Sequence, residues 1–307
     1  MQQRPFKQID VFTATPYFGN PLAVVLSGSG LDDAAMQRFA RWTNLSETTF
    51  VLPATQSTAD YRLRIFTPGG ELPFAGHPTL GSCHAWLEAG GQPKCKEFIV
   101  QECAKGLINI RRNTSNAGLA FAAPSLMRSA PSPAVLAEVT RALGINAAQI
   151  TAAQLLDNGP VWLGLLLDSP ETVLELLPNH QELVKLNIKV GVAGIYASPS
   201  SPLIARANRE AKAFTQTASN TTPDLEVRAF AACMGVNEDP VTVSLNASLA
   251  QWLMADGFMP QHYTASQGVC MGRVGQVDLQ RDANREDEGQ VWVGGQSVTC
   301  IDGVVTL

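Results

Sequence analysis

The feature that most constrains the fold is a degenerate internal repeat. Each copy has an Arg-x-Phe triplet, then a turn, then a residue that precedes Pro, and then a run of small residues with a Trp. The two copies cover 64–86 and 228–252. They lie about 160 residues apart, which is too far for a solenoid repeat and suits two similar domains of one chain. We therefore expect a duplicated fold with a site between the halves, since clefts at domain interfaces are favoured binding sites.

The length of 307 residues agrees with two domains. Composition changes to Pro and Ser around 123–133, which is typical of an interdomain linker. We therefore predict a first domain over 1–123 and a second over 124–296. The final segment, 297–307, is a candidate strand that returns to the first domain.

Composition excludes several classes of function. Hydrophobic residues make up 45% of the chain, charged residues 16%, and the net charge is −5, with no basic block to follow a phosphate backbone. We expect no nucleic-acid partner. Neither a long apolar run nor a secretion-type start is visible, so we expect a cytoplasmic protein without a membrane partner. The six cysteines form no C-x-x-C pair and there are only four histidines, which predicts reduced, mostly buried thiols and no metal site.

Periodicity and turn residues predict a mixed α/β chain. Strands are predicted over 6–12, 22–26, 45–52, 61–66, 161–167 and near 191–197. Helices are predicted over 31–42, 77–90, 134–143 and 171–177. Polar loops are predicted over 198–223 and 278–290.

His77 and Asp239 each stand at a predicted helix start. Two such starts would present unpaired backbone N–H groups and positive dipole ends to a carboxylate or phosphate. Asp239 could equally be only an N-cap, and His77 only a structural residue.

Glu47 is predicted to share one face of a strand with Leu45, Thr49 and Val51. Such a carboxylate lies either at a solvated edge or in a cleft where desolvation suits it to proton transfer. Near the C-terminus, Arg273 adjoins a Gly-rich turn that could bind an anion. No dinucleotide fingerprint, P-loop, H-E-x-x-H or G-x-S-x-G motif is present.

Taken together, several segments resemble the phenazine-biosynthesis PhzF-like family, which has the diaminopimelate-epimerase fold. The matching segments are 10–12, 19–21, 44–51, 66–81, 228–230, 238–244, 267–268 and 272–273. They occur in the family's order and span most of the chain.

The resemblance implies two similar α/β (α+β) domains, each a curved mixed sheet around a central helix, with the active site in the interdomain cleft. It also implies no cofactor, a small carboxylate substrate and a homodimer. In the family's best-understood member, the reaction isomerises a dihydro-hydroxyanthranilate by moving a proton along a conjugated ring system.

The resemblance also assigns roles to residues. Glu47 is expected to be the general acid/base, with His77 and Asp239 flanking the substrate and assisting the transfer. Ser244 is expected to bind the substrate, and backbone N–H groups near Gly76 and Thr242 to hold its carboxylate. The remaining expected binding residues of the matching motifs are Asn20, Ser46, Pro78, Gly268 and Arg273.

Racemases of the same fold use two cysteines at the helix starts. Here Cys83 follows His77 by six residues and Cys233 precedes Asp239 by six, so two-thiol racemisation is disfavoured. A lone Glu that removes and returns a proton on one face favours isomerisation.

The leading hypothesis is therefore a cofactor-independent isomerase of a small carboxylated, cyclic or unsaturated metabolite. Two alternatives stay open. Val243 stands where the family commonly has Gly, and a β-branched residue there favours a non-catalytic metabolite-binding dimer. An epimerase or racemase of a small amino or hydroxy acid, with Glu47 or Asp239 as the opposite-face partner, is the other.

Overall fold

A computed structural model of the chain describes residues 1–112, 118–196, 222–282 and 289–307. The chain divides into two compact units. Unit 1 consists of Met1–Ala122 and Val293–Leu307, and unit 2 of Ala123–Trp292. The predicted loop over 198–223 lies outside the described residues except for its last two positions.

The described residues form eighteen strands and six α-helices. The strands are β1 (Gln3–Val11), β2 (Asn20–Val25), β3 (Thr48–Leu52), β4 (Tyr61–Thr67), β5 (Gly70–Leu72), β6 (Ile99–Cys103), β7 (Gly106–Arg112), β8 (Leu119–Ala122), β9 (Met127–Ser129), β10 (Ile150–Asp157), β11 (Val161–Leu167), β12 (Lys189–Ile195), β13 (Leu225–Ala231), β14 (Val236–Asp239), β15 (His262–Gln267), β16 (Gly275–Arg281), β17 (Val291–Gly295) and β18 (Ser297–Thr306). The helices are α1 (Asp33–Thr43), α2 (Gly76–Glu88), α3 (Pro133–Leu143), α4 (Pro170–Glu175), α5 (His180–Leu186) and α6 (Val243–Ala255).

Unit 1 contains a mixed sheet in the order β18-β1-β2-β3-β4-β6-β7-β8. The β2–β3 and β4–β6 pairs are parallel and the others antiparallel, while β5 folds back on β4 as a hairpin. Helix α1 connects β2 to β3. Its apolar side contributes Phe39 to a hydrophobic cluster that also includes Phe50 and Phe66. This arrangement brings the starts of β2 and β3 to one end of the sheet.

Helix α2 is the central element of unit 1. It contacts β1, β2, β3, β4, β6, β8 and β18, and its residues from His77 to Cys83 are all buried. A helix buried on all sides needs small residues where strands come close. At Gly81, an added Cβ would lie 2.7 Å from side-chain atoms of both Leu22 and Val11, so the close approach of the helix to β1 and β2 requires glycine.

Unit 2 repeats this plan. Its strands follow the order β9-β10-β11-β12-β13-β15-β16, again with parallel pairs at the third and fifth positions and with β14 folded back on β13. Helix α6 is its central helix, buried along most of its length. The lack of a side chain at Gly191 leaves room for Leu245 of this helix, and the lack of one at Gly164 leaves room for Trp252. The predicted fold class, two similar α+β halves each with a mixed sheet around a central helix, is confirmed.

The predicted loop over 278–290 is partly wrong. Strand β16 continues to Arg281, because Val277 and Leu279 alternate into the core while the charged residues between and after them suggest a loop in the sequence. Residues 283–288 lie outside the described part of the chain.

Candidate active site

The first group of candidate residues meets at the start of helix α2. The His77 ring is 5% exposed, and its Nε2 lies 3.0 Å from the backbone carbonyl oxygen of Asn20. Its Nδ1 lies 3.1 Å from Oε2 of Glu47. The structure therefore joins three of the predicted site residues in one hydrogen-bonded chain.

Glu47 does not lie in a strand, contrary to the sequence prediction. Strand β3 begins one residue later, at Thr48, because Asn44 ends α1 in the left-handed conformation (φ 54°) and the connection needs the residues before Thr48. The Thr43 and Thr48 hydroxyls, 2.8 Å apart, tie the end of the helix to the start of the strand. Glu47 is thus held on a short connection, and its side chain is 18% exposed.

The hydrogen-bond partners of His77 restrict where its protons lie. A backbone carbonyl oxygen only accepts, so Nε2 must donate to Asn20. If the ring is neutral, Nδ1 accepts the hydrogen bond, and Glu47 must then be protonated. If the ring is an imidazolium, Nδ1 donates to a Glu47 carboxylate. In either state one proton lies between Nδ1 and Oε2 and joins the two side chains.

Two other predicted residues of unit 1, Gly76 and Pro78, belong to the same helix start. Ala75 is the N-cap of α2 and makes no side-chain capping bond. Thr79 bonds back to Ala75, and Pro78 has no N–H, which leaves the Gly76 and His77 N–H groups as the donors of the first turn. Ser46 is exposed, and its side chain takes no part in the Glu47–His77 chain.

Asp239 does not cap the second central helix, contrary to the sequence interpretation. It is the last residue of β14, where it pairs with Ala229, and helix α6 begins only after Thr242 as N-cap. The backbone of Asp239 thus belongs to the strand pairing and does not form the start of the helix. Its carboxylate still reaches the helix start, because Oδ2 accepts a 2.6 Å hydrogen bond from the Thr242 hydroxyl.

Gln267 holds Thr242 and Asp239 together. Its amide oxygen accepts from the Thr242 N–H (2.9 Å) and from the Asn246 amide (2.8 Å), and its amide nitrogen donates to the Asp239 carbonyl (2.9 Å) and the Thr242 hydroxyl (3.0 Å). Because the Thr242 oxygen accepts from Gln267, its own proton points to Asp239. Gln267 and Asn246 are fully buried, so this network fixes the orientation of the Asp239 carboxylate.

Ser244 lies in the first turn of α6 and is partly exposed. Its hydroxyl accepts from the indole Nε1 of Trp162 at 3.1 Å, and its carbonyl oxygen accepts from the Asn158 amide at 2.9 Å. Val243, just before it, is 5% exposed, so its side chain is buried.

The Gly-rich turn packs beside Asp239. Gly268 has φ 97°, and a Cβ there would lie 2.6 Å from the carbonyl oxygen of Pro240. The Arg273 N–H closes the turn on the Gly268 carbonyl oxygen at 3.0 Å. The backbones of both residues thus form the turn. Anion binding by the Arg273 side chain stays a prediction.

The cysteines occupy different surroundings. Cys83 is buried inside α2, where desolvation raises the pKa of its thiol to about 12. Cys103 is buried as well, but Cys233 and Cys300 are partly exposed and Cys95 and Cys270 are exposed, so the prediction of mostly buried thiols is wrong. In the ranges that the structure describes, no three His, Cys, Asp or Glu side chains are grouped to hold a metal ion. Over the same ranges, no helix has the length and apolar character needed to cross a membrane.

Sequence reasoning missed the residues that hold the candidate side chains in place. Gln267 belongs to a matching motif that gives it no role, and the sequence gives no role to Asn246 either. Asn158 and Trp162 carry no local signal, because a turn Asn and a Trp in an apolar strand are ordinary in a core. Only the fold brings them to α6.

Each half thus has a central helix whose N-cap makes no side-chain capping bond and whose start has polar side chains beside it. The family model described as "Phenazine biosynthesis-like protein" (PhzC-PhzF) matches residues 9–303, and the chain belongs to this family. Antisense-enhancing sequence 1 of Schizosaccharomyces pombe is 37% identical over 99% of each chain. The trans-2,3-dihydro-3-hydroxyanthranilate isomerase of Pseudomonas fluorescens is 31% identical over 97% of this chain and 98% of its own.

A solved structure has the same fold. The Bacillus anthracis phenazine biosynthesis protein of the PhzF family matches over 100% of both chains with a TM-score of 0.81 at 21% identity. The resemblance predicted from the sequence is confirmed, and the family is one that includes isomerases.

Proposed function

We propose that the protein is a cofactor-independent isomerase that moves a proton between carbons of a small carboxylated, cyclic or unsaturated metabolite. Glu47 is the acid/base, and His77 and Asp239 assist the transfer. The observation that carries the proposal is the hydrogen bond between Glu47 and His77, whose other ring nitrogen is committed to the Asn20 carbonyl oxygen.

This hydrogen bond suits Glu47 to proton transfer. With the shared proton on Nδ1, His77 is an imidazolium, and Glu47 is the carboxylate that removes a proton from carbon. Glu47 can then return that proton to another carbon on the same face of the substrate. His77 keeps Oε2 in place throughout, because Nε2 and Nδ1 both have fixed partners.

The polar groups at the helix starts support a carboxylate substrate. Backbone N–H groups of Gly76 and His77 and the positive end of α2 favour an anion, as does the start of α6 near Thr242. Ser244 offers a hydroxyl, and Gln267 fixes the Asp239 carboxylate in one orientation. We include Asn20, Ser46, Pro78, Gly268 and Arg273 in the proposed binding surface.

The test is proton exchange in D₂O followed by ¹H NMR. The first compound is trans-2,3-dihydro-3-hydroxyanthranilate, on which the Pseudomonas fluorescens relative is named to act, followed by a panel of small unsaturated carboxylates. We expect deuterium to enter one compound, and Glu47→Gln to slow this exchange by about 10²-fold or more, since the amide cannot carry the proton.

Glu182→Gln is the matched control, because Glu182 is exposed on α5 and its carboxylate pairs with Lys185 of the same helix. It should exchange like the natural protein. Full exchange by Glu47→Gln would contradict the proposal. Binding without exchange in any compound would favour the metabolite-binding protein, and loss of optical activity from a single enantiomer would favour the epimerase.

A further inference from the structure

The hydrogen bond between Trp162 and Ser244 has a fixed direction. An indole N–H only donates, so the Ser244 oxygen accepts from Trp162 Nε1 at 3.1 Å. The Ser244 hydroxyl proton is therefore left to donate elsewhere. In addition, the side-chain amide of Asn158 donates to the backbone carbonyl oxygen of Ser244 at 2.9 Å.

The Trp162 ring is itself held rigidly. It is 3% exposed on β11, where it pairs with Leu156 on one side and Lys189 on the other. The ammonium group of Lys189 lies 5.2 Å from the ring centroid, a cation–π distance. An aromatic ring fixed by two strands has little freedom to turn its N–H away from Ser244.

Ser244 stands where a donated proton is useful to an anion. It lies in the first turn of the 13-residue helix α6, whose N-cap Thr242 makes no side-chain capping bond. The Thr242 hydroxyl donates to Asp239 instead. First-turn N–H groups and the helix dipole favour a ligand oxygen that carries negative charge.

We propose that Trp162 is a positioning residue that commits the Ser244 hydroxyl to donating to a carboxylate or carbonyl oxygen of the substrate. Trp162 acts through Ser244 and does not touch the substrate. The inference rests on the proposed function only in taking Ser244 as a substrate contact, and it requires no turnover.

A double-mutant cycle on binding tests this inference. The probe is 3-hydroxyanthranilate, an aromatic carboxylate, and its Kd is measured by titration calorimetry in the absence of air for Trp162→Phe, Ser244→Ala and the double variant. We expect Trp162→Phe to weaken binding about five- to tenfold and Ser244→Ala about tenfold, the size of one lost hydrogen bond. The double variant should bind like Ser244→Ala alone, because Trp162 has nothing left to orient.

Trp252→Phe is the matched control. Its indole donates to Asp256 at 2.9 Å near the other end of α6, so its loss should lower Tm without changing Kd. A Trp162→Phe variant that loses Tm but keeps Kd, or whose effect multiplies with that of Ser244→Ala, would overturn the proposal. So would a natural protein that does not bind the probe at millimolar concentration.

A second measurement needs no ligand. In protein labelled with ¹⁵N at its indole nitrogens, Ser244→Ala should shift the Trp162 indole resonance and speed its hydrogen exchange. An unchanged resonance would overturn the proposal. Neither measurement depends on Glu47, so failure of the isomerase proposal in the exchange experiment is distinguishable from failure of this one.

Discussion

His77 and Cys83 lie six residues apart on α2, and their surroundings give them opposite chemistry. His77 has a polar partner on each ring nitrogen, and one partner is an acid. Cys83 is fully buried, and desolvation raises the pKa of its thiol to about 12. The polar contacts of His77 are therefore made in the first turn of the helix, and the thiol in its middle is a core residue.

Alkylation can test the inert character of Cys83. At pH 8 we expect iodoacetamide to modify the exposed Cys95 at least roughly 100-fold faster than Cys83, because the thiolate is the reactive form and Cys83 is buried as a thiol. Peptide mass spectrometry reads both sites. In urea-unfolded protein the two rates should become similar. Modification of Cys83 in the native protein at the rate of Cys95 would show that the thiol is accessible and ionised.

The repeated hairpins show how the two halves use the same element differently. Arg64 on β4 donates two hydrogen bonds, of 2.7 and 2.6 Å, to the Glu71 carboxylate. Arg228 on β13 donates two of 2.9 Å to the Glu238 carboxylate. Each guanidinium also lies over a Phe two residues later, at 5.0 and 5.1 Å. The Arg-x-Phe triplet of the sequence repeat is thus a clamp that closes β4 on β5 and β13 on β14.

The two clamps should differ in their contribution to stability. The Arg228–Glu238 side chains are 6% and 12% exposed, whereas those of Arg64 and Glu71 are 16% and 38% exposed. Arg228 also donates to the carbonyl oxygens of Val173 and Leu176 near the end of α4. Lysine keeps the charge but cannot make the paired bonds.

We therefore expect Arg228→Lys to cost about 2 to 4 kcal/mol and Arg64→Lys less than about 1 kcal/mol of unfolding free energy. Urea unfolding at pH 7 measures both, and each variant serves as the control for the other. Equal losses would mean that burial does not distinguish the clamps.

For the whole molecule, the free energy of unfolding should depend on pH through Glu226. This residue is 1% exposed, accepts from the Tyr196 hydroxyl at 2.9 Å, and has a pKa raised to about 7 by burial. The folded state therefore holds this proton more tightly than the unfolded state. The stability that follows is complete below the unfolded pKa of about 4.5 and is lost as the pH rises through 7.

Glu226→Gln removes this dependence. Relative to the natural protein, the variant should gain stability of the order of 3 kcal/mol between pH 4.5 and pH 8, measured by urea unfolding across that range. Glu102→Gln is a control of opposite sign, because the Thr55 hydroxyl hydrogen bond lowers the pKa of Glu102. Its cost should be present at pH 7 and shrink as the pH falls below about 4.5. A pH-independent difference for Glu226→Gln would rule out this account.

The homodimer implied by the resemblance also stays a prediction.

Much of the fold follows from local patterns. The small residues and Pro of α2 and the periodicity of α1 predict helices that the structure contains, with ends shifted by one or two residues. The predictions that Glu47 lies in a strand and Asp239 at a helix start are wrong, because the sequence pattern does not distinguish a connection from the strand beside it, or a strand end from the helix start that follows. Their chemical roles were predicted from motifs, which do not depend on the element.

The family, the duplicated fold and the candidate residues can all be predicted from the sequence, because spacing and residue type along the chain carry that information. The directions of the hydrogen bonds at the candidate residues, in contrast, depend on contacts that form when the chain folds. His77 meets Glu47 across 30 positions of the chain, Gln267 meets Thr242 across 25, and Trp162 meets Ser244 across 82. A hydroxyl or imidazole takes its direction from whichever atom comes within about 3 Å, and that atom is chosen by the fold.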